Sequence, residues 1–141
     1  MLRLLLPIDG SETSNQAVDY ALRMIDLYKD KPEIHLLNAQ PPFSGGVTMF
    51  IRRDQIKQFH QDEGLEALAA ARSRLDAQNV PYSYHIAIGD PGEAITKYAK
   101  ENRCDQICMG TRGLGHVTGM LLGSVATKVI HLADVPILLV K

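Results

Sequence analysis

Short apolar runs with β character alternate with longer stretches of helical periodicity from one end of this chain to the other, and no linker, charge block or repeat interrupts them. This pattern leaves few folds open, because parallel strands need crossover connections and helices supply them. The strand runs are Leu2 to Ile8, Glu33 to Ala39, Tyr82 to Ile88, Gln106 to Met109 and Pro136 to Val140. They are apolar enough to be covered on both faces. A first helix is predicted from Thr13 to Tyr28, where Ala17, Val18, Ala21, Leu22, Ile25 and Tyr28 recur at helical spacing. Ser11 or Thr13 can cap it, and Thr13 with Gln16 fits a capping box. A second is predicted from Arg53 to Gln78, with Ile56, Phe59, Leu65, Leu68, Ala69 and Leu75 on one side and Gly64 as a weak point. Asp90-Pro91-Gly92-Glu93 opens a third with an N-cap acceptor and a proline at the first helical position. A fourth spans Ser124 to Leu132. Right-handed crossovers then give a three-layer, doubly wound α/β sandwich. At 141 residues the chain has the size of one domain, so residues 1–141 are expected to share a core.

Fifteen Lys plus Arg against sixteen Asp plus Glu leave a formal charge of -1, too little surplus for sequence-independent nucleic-acid binding. No nucleic-acid partner is expected. The longest apolar stretches, Leu4 to Ile8 and Pro136 to Val140, fall far short of the roughly 20 residues of a membrane helix, so no membrane insertion is expected. Pro7 and Asp9 likewise cut the apolar start below the roughly 7 residues of a secretion signal. Cys104 and Cys108 would lie on one face of a strand about 13 Å apart, beyond the roughly 7 Å that a disulfide spans. Free thiols in a reducing cytoplasm are the expectation.

In doubly wound sheets ligands bind beyond the carboxyl ends of the strands, where the strand order reverses. The segments there are Asp9-Gly10-Ser11, residues 39–46, Gly89-Asp90 and everything from Gly110 onward. Five of the eleven glycines lie between Met109 and Ser124, just ahead of a helix. Glycine lets backbone approach a ligand, and a helix start offers unpaired N–H groups, so the combination favours phosphate. Gly110 and Gly113 can form a nest of amides, Gly123 and Ser124 can present N–H groups and a hydroxyl, and Arg112 can add charge. The segment also reads as a mobile surface loop without a ligand. It is neither a Walker A loop nor a dinucleotide fingerprint, since Thr118 stands where that pattern needs glycine. His35, His60, His85, His116 and His131 lack metal-ligand spacing, so no protein metal site is expected. Without a Gly-x-Ser-x-Gly elbow, Ser124 reads as a cap or phosphate ligand rather than a nucleophile.

Three stretches in order, Leu6-Pro7-Ile8-Asp9-Gly10-Ser11-Glu12, Gly110-x2-Gly113-x9-Gly123-Ser124 and Val135-Pro136-Ile137-Leu138-Leu139-Val140, resemble the universal stress protein family over essentially the whole chain. The resemblance implies a Rossmann-like sandwich of the adenine nucleotide alpha hydrolase type, with strand order 3-2-1-4-5 and ATP at the switch point. It implies that Asp9 contacts the nucleoside and that Ala39 borders the adenine. Met109, Gly110, Arg112, Gly113, Gly123, Ser124 and Val125 would lie against ribose and phosphates, with Mg²⁺ reached through the phosphates. Asn38-Ala39-Gln40 departs from the family's frequent His-Val pair. Asp9 also reads as a turn residue opening the first helix. Pro7 either walls the base pocket or keeps an edge from pairing. The connection 41–54, starting Pro41-Pro42-Phe43-Ser44-Gly45-Gly46, is a lid or a disordered surface loop.

The function implied is nucleotide-dependent regulation. Slow ATP hydrolysis or phosphotransfer involving Arg112, His116 or Asp9 is the alternative, as is docking onto a client such as a membrane transporter or enzyme. A bare apolar edge at Ile137 to Val140 predicts a homodimer, as does the resemblance.

Overall fold

A computed structural model describes residues 1–113, 119 and 121–141, with Val47 and Thr48 described by backbone alone. Its strands are β1 (Arg3–Pro7), β2 (Glu33–Gln40), β3 (Tyr82–Ile88), β4 (Gln106–Gly110) and β5 (Ile137–Val140). They form one sheet, ordered β3-β2-β1-β4-β5, and every pairing is parallel. Its helices are α1 (Glu12–Met24), the short α2 (Gly45–Thr48), α3 (Arg53–Ala77), α4 (Pro91–Glu101) and α5 (Ser124–Leu132). The doubly wound sandwich expected from the alternation is the fold observed.

Two cores follow from the period-2 alternation of strand side chains. Leu4, Leu6, Ile34 and Leu36 face α1 and α3, where Val18, Leu22, Leu68 and Leu75 meet them. Leu5, Leu37, Ile107 and Met109 face α4 and α5, against Ile95, Ala99, Ala126 and Val129. Each large apolar side chain fully withdrawn from water contributes roughly 1.5–3 kcal/mol. The two cysteines divide between these cores, which corrects the expectation that they share a face. Cys104 precedes β4 and lies on the α4 and α5 side, whereas Cys108, inside β4, lies on the other. Both are free thiols. Burial pushes the Cys108 thiol up to about 11, and the Cys104 thiol also upward, so neither is poised as a thiolate.

Several local expectations change in the folded chain. Ser11 caps α1, accepting from the Ser14 amide at 3.2 Å, and no Thr13–Gln16 capping box forms because the Thr13 hydroxyl donates to the Arg112 carbonyl instead. The helix gives way to a 3₁₀ turn at Ile25–Leu27, which leaves Tyr28 outside it. Pro7 keeps no sheet edge from pairing, since β1 is the central strand. Gly64 is buried in α3, and a Cβ there would come within 2.5 Å of Ile86 Cδ1. The missing side chain lets α3 close onto β3, which offsets the helix propensity it costs. Phe59, expected in the core, is 45% exposed, because its side of α3 turns toward the connection after β2. Among the described residues, no helix is long and apolar enough to cross a membrane.

Candidate functional site

The sheet opens where its strand order reverses. β1 runs beside β2 as far as Pro7 opposite Leu37, and the Ile8 amide then donates to the Leu37 carbonyl at 2.8 Å. Toward β4, its register ends with Leu5 opposite Ile107. Alternation turns the nitrogen of Pro7 toward β4, and proline has no N–H to donate there. β4 continues beside β5 to Gly110 opposite Val140. The two central strands therefore part at their carboxyl ends, above a cleft of about 640 Å³. Pro7, Asp9, Ala39, Met109, Gly110, Arg112, Gly113, Gly123, Ser124 and Val125 all line it. The fold thus brings all ten sequence-predicted residues together.

One end of the cleft gathers backbone N–H groups. The Thr111 amide donates to Val140 at 3.0 Å and its carbonyl accepts from Gly123 at 2.7 Å, which joins the two halves of the glycine signature at a neck. Gly123 is the N-cap of α5. The first α5 amides lack intrahelical partners and carry the positive end of the helix dipole. An anion there gains about 0.3–1 kcal/mol from the dipole alone. Arg112 lines the same wall.

Asp9 stands beside this end. Its Oδ1 accepts from the Ser11 amide at 2.9 Å, and its Oδ2 lies 2.5 Å from where a Cβ on Gly113 would be. A Cβ on Gly110 would come within 2.8 Å of the Thr13 carbonyl carbon. Among the described residues, the positive-φ glycines are Gly10, Gly89 and Gly119. Gly110 and Gly113 are not among them, so positive φ is not the reason for glycine at either position. These two are glycines because neighbouring atoms occupy the space of a side chain. His116 and the rest of 114–118, with residue 120, lie outside the described residues.

The opposite end is aromatic, and sequence reasoning missed most of it. Phe43 packs its ring 5.0 Å from Phe59 and 5.2 Å from His60, centroid to centroid, and all three line the cleft. The connection carrying Phe43 forms α2 and meets α3, so residues 41–48 are not wholly irregular. Gln40 Nε2 donates to Asn38 Oδ1 and to the His60 carbonyl, each at 2.8 Å, and Gln40 Oε1 lies 2.9 Å from His60 Nδ1. The sequence signals for this corner were the departure at Asn38-Ala39-Gln40 and the connection starting Pro41-Pro42-Phe43, read as a lid or a surface loop. From α4, Pro91 and Ile95 close the floor, and Lys128 fixes that helix start through Asp90 at 2.9 Å and Glu93 at 3.4 Å. The Lys128 ammonium and the Glu93 amide hold the Asp90 carboxyl below its ordinary range.

The model of the universal stress protein family matches residues 1–141. The universal stress protein YxiE of Bacillus subtilis is 30% identical over 149 aligned positions, spanning 99% of this chain and 98% of its own length. The solved structure of MJ0577 from Methanocaldococcus jannaschii superposes with a TM-score of 0.84 at 27% identity, covering 99% of this chain and 95% of that one. The universal stress protein from Archaeoglobus fulgidus, solved in complex with dAMP, shares the fold with a TM-score of 0.72 at 20% identity, over 100% of this chain and 98% of its own. Matched along its full length and folded in the strand order that the resemblance implied, the chain belongs to the universal stress protein family.

Proposed function

We propose that this chain binds an adenine nucleotide, ATP foremost, in the cleft between β1 and β4 and acts as a nucleotide-dependent regulatory protein. The observation that carries the reading is the polarity of that cleft. It has α5 amides and Arg112 at one end, Asp9 beside them, and a corner of Phe43, Phe59 and His60 at the other. A nucleotide has the same order of groups, from phosphates through ribose hydroxyls to an aromatic base. Gly110, Gly113, Gly123, Ser124 and Val125 border the phosphates, Met109 and Asp9 the ribose, and Pro7 and Ala39 the base. When bound, Mg²⁺ is carried by the phosphates. The dAMP complex from Archaeoglobus fulgidus supports the assignment to the extent that it has this fold.

Calorimetric titration of nucleotide-stripped protein with ATP, ADP and AMP in Mg²⁺ tests it. Micromolar ATP binding is expected. A folded protein that binds none of the three overturns the reading and leaves docking onto a client, a transporter or an enzyme, as the function. Efficient phosphoryl transfer needs a positioned base together with charge stabilisation. Among the described residues of the cleft, Asp9 is assigned to the ribose rather than to the attacking water, so any hydrolysis is expected to be slow.

Residues 1–141 are read as one domain acting in the cytoplasm as a homodimer. β5 ends the sheet, and Ile137, Leu138, Leu139 and Val140 are all only half-buried. Soluble proteins rarely leave such an edge uncovered. Light scattering at micromolar concentration should give the mass of a dimer, and a monomer would remove β5 as an interface.

A further inference from the structure

The chain of amides beside the aromatic corner fixes more than packing. Asn38 Nδ2 donates to the Ile8 carbonyl at 2.9 Å, so its Oδ1 is left as an acceptor. Gln40 Nε2 fills that acceptor and also donates to the His60 carbonyl, which can only accept. Gln40 Oε1 is thereby the atom that faces His60 Nδ1, at 2.9 Å. An amide oxygen cannot donate, so the proton of that hydrogen bond resides on Nδ1. Neutral His60 is held as the Nδ1–H tautomer with a lone pair on Nε2.

His60 is 7% exposed and lines the cleft. Nε2 has no hydrogen bond among the described residues, whose one buried side-chain polar atom without a partner is Asn15 Oδ1. Nε2 is therefore open to solvent rather than sealed in the core. Phe43 and Phe59 hold the ring by contacts of 5.2 and 5.7 Å between centroids, which limits its rotation.

We propose that His60 is a base-reading residue, whose Nε2 lone pair accepts a hydrogen bond from the 6-amino group of a purine and repels a 6-oxo group, with Gln40 as the positioning residue that sets the tautomer. The proposal rests on the nucleotide reading above and deepens it. Backbone at the end of β2 can also favour adenine, so a preference in the unaltered protein is not sufficient support. The test is the change in preference on substitution.

ATP and ITP differ at the purine 6-position and in the protonation of its neighbouring N1, and are titrated in parallel against the unaltered protein, His60→Phe and Gln40→Glu. Phenylalanine keeps a ring against Phe43 and Phe59 but removes the lone pair, and the ATP-to-ITP affinity ratio should fall by about tenfold or more. Glutamate at position 40 favours the imidazolium, which carries a proton on Nε2, and should shift the ratio toward ITP. A folded His60→Phe protein that keeps the original ratio within about twofold overturns the inference while ATP binding still stands. If His60→Phe does not fold, Gln40→Glu decides, and an unchanged ratio there overturns it too. An unaltered protein that binds neither nucleotide overturns the nucleotide reading itself and this inference with it.

Discussion

A valine in place of Gly113 should weaken ATP binding by about 100-fold or more while the chain remains folded. The first Cβ atom alone would come within 2.5 Å of Asp9 Oδ2, so the Asp9 carboxylate must leave its position. Its Oδ1 then loses the Ser11 amide, and the group proposed to face the ribose points elsewhere. Hydrogen bonds to a charged group contribute about 1.5–3 kcal/mol, or roughly 10- to 100-fold in affinity, and the valine methyls add an obstruction beside the phosphates. Stability should fall by no more than about 1–2 kcal/mol, the loss of the partly exposed Asp9–Ser11 hydrogen bond, because the displaced atoms belong to one side chain at the mouth of a cleft. Gly123→Ala is the matched control. A Cβ there meets its nearest neighbour, Arg112 Cα, at 3.5 Å, an ordinary contact. Its dissociation constant should stay within about fivefold of the original. Equal losses in the two variants would mean that the signature acts through general loop shape and that the crowding between Asp9 and Gly113 is irrelevant.

Legibility in the sequence followed the range of the interactions involved. Strand and helix positions were readable because apolar period and capping are local. Asp90-Pro91-Gly92-Glu93 starts α4 where expected, with the Glu93 amide donating to Asp90 at 3.0 Å. Of the ten cleft residues, Gly110, Arg112, Gly113, Gly123 and Ser124 were legible as a glycine-rich segment ahead of a helix, and the others through the family resemblance. The aromatic corner was not, since Phe43 and Phe59 are sixteen positions apart in sequence and meet only because the connection after β2 folds back onto α3. Phe59 fitted the apolar side of a helix equally well. The cysteines misled for a related reason. A four-residue spacing implies a shared face only if the strand covers both residues, and β4 begins at Gln106, after Cys104. Glycines were the most ambiguous of all. Their identity reports either freedom of φ or exclusion of a side chain, and the two are indistinguishable until the neighbours are known.

Gly110 shows how much that distinction weighs, and its replacement by alanine should lower stability by about 2–4 kcal/mol, or roughly 10 °C in Tm. The residue ends β4 in the buried interior, where α1 comes down on the sheet. A Cβ would lie 2.8 Å from both the carbonyl carbon and Oγ1 of Thr13, and 2.9 Å from its Cβ. Two of these atoms belong to a side chain, but the carbonyl carbon is backbone held by the first turn of α1, and that turn is fixed by the Ser11 cap. No rotamer change can relieve the contact. Either α1 lifts from β4, or β4 bends away from β5. Thr13→Ala separates the contributions, because it removes Oγ1 while keeping Cβ and the backbone. In a double-mutant cycle it should recover less than half of the loss, whereas full recovery would place the conflict in the Thr13 hydroxyl and spare the helix. The displacement should also reach the cleft. The turn Asp9-Gly10-Ser11 leads directly into α1, so Gly110→Ala should lose affinity for ATP together with stability. Gly113→Val should lose affinity with a smaller loss of stability, and denaturant unfolding of the two variants beside their ATP titrations reads that difference directly.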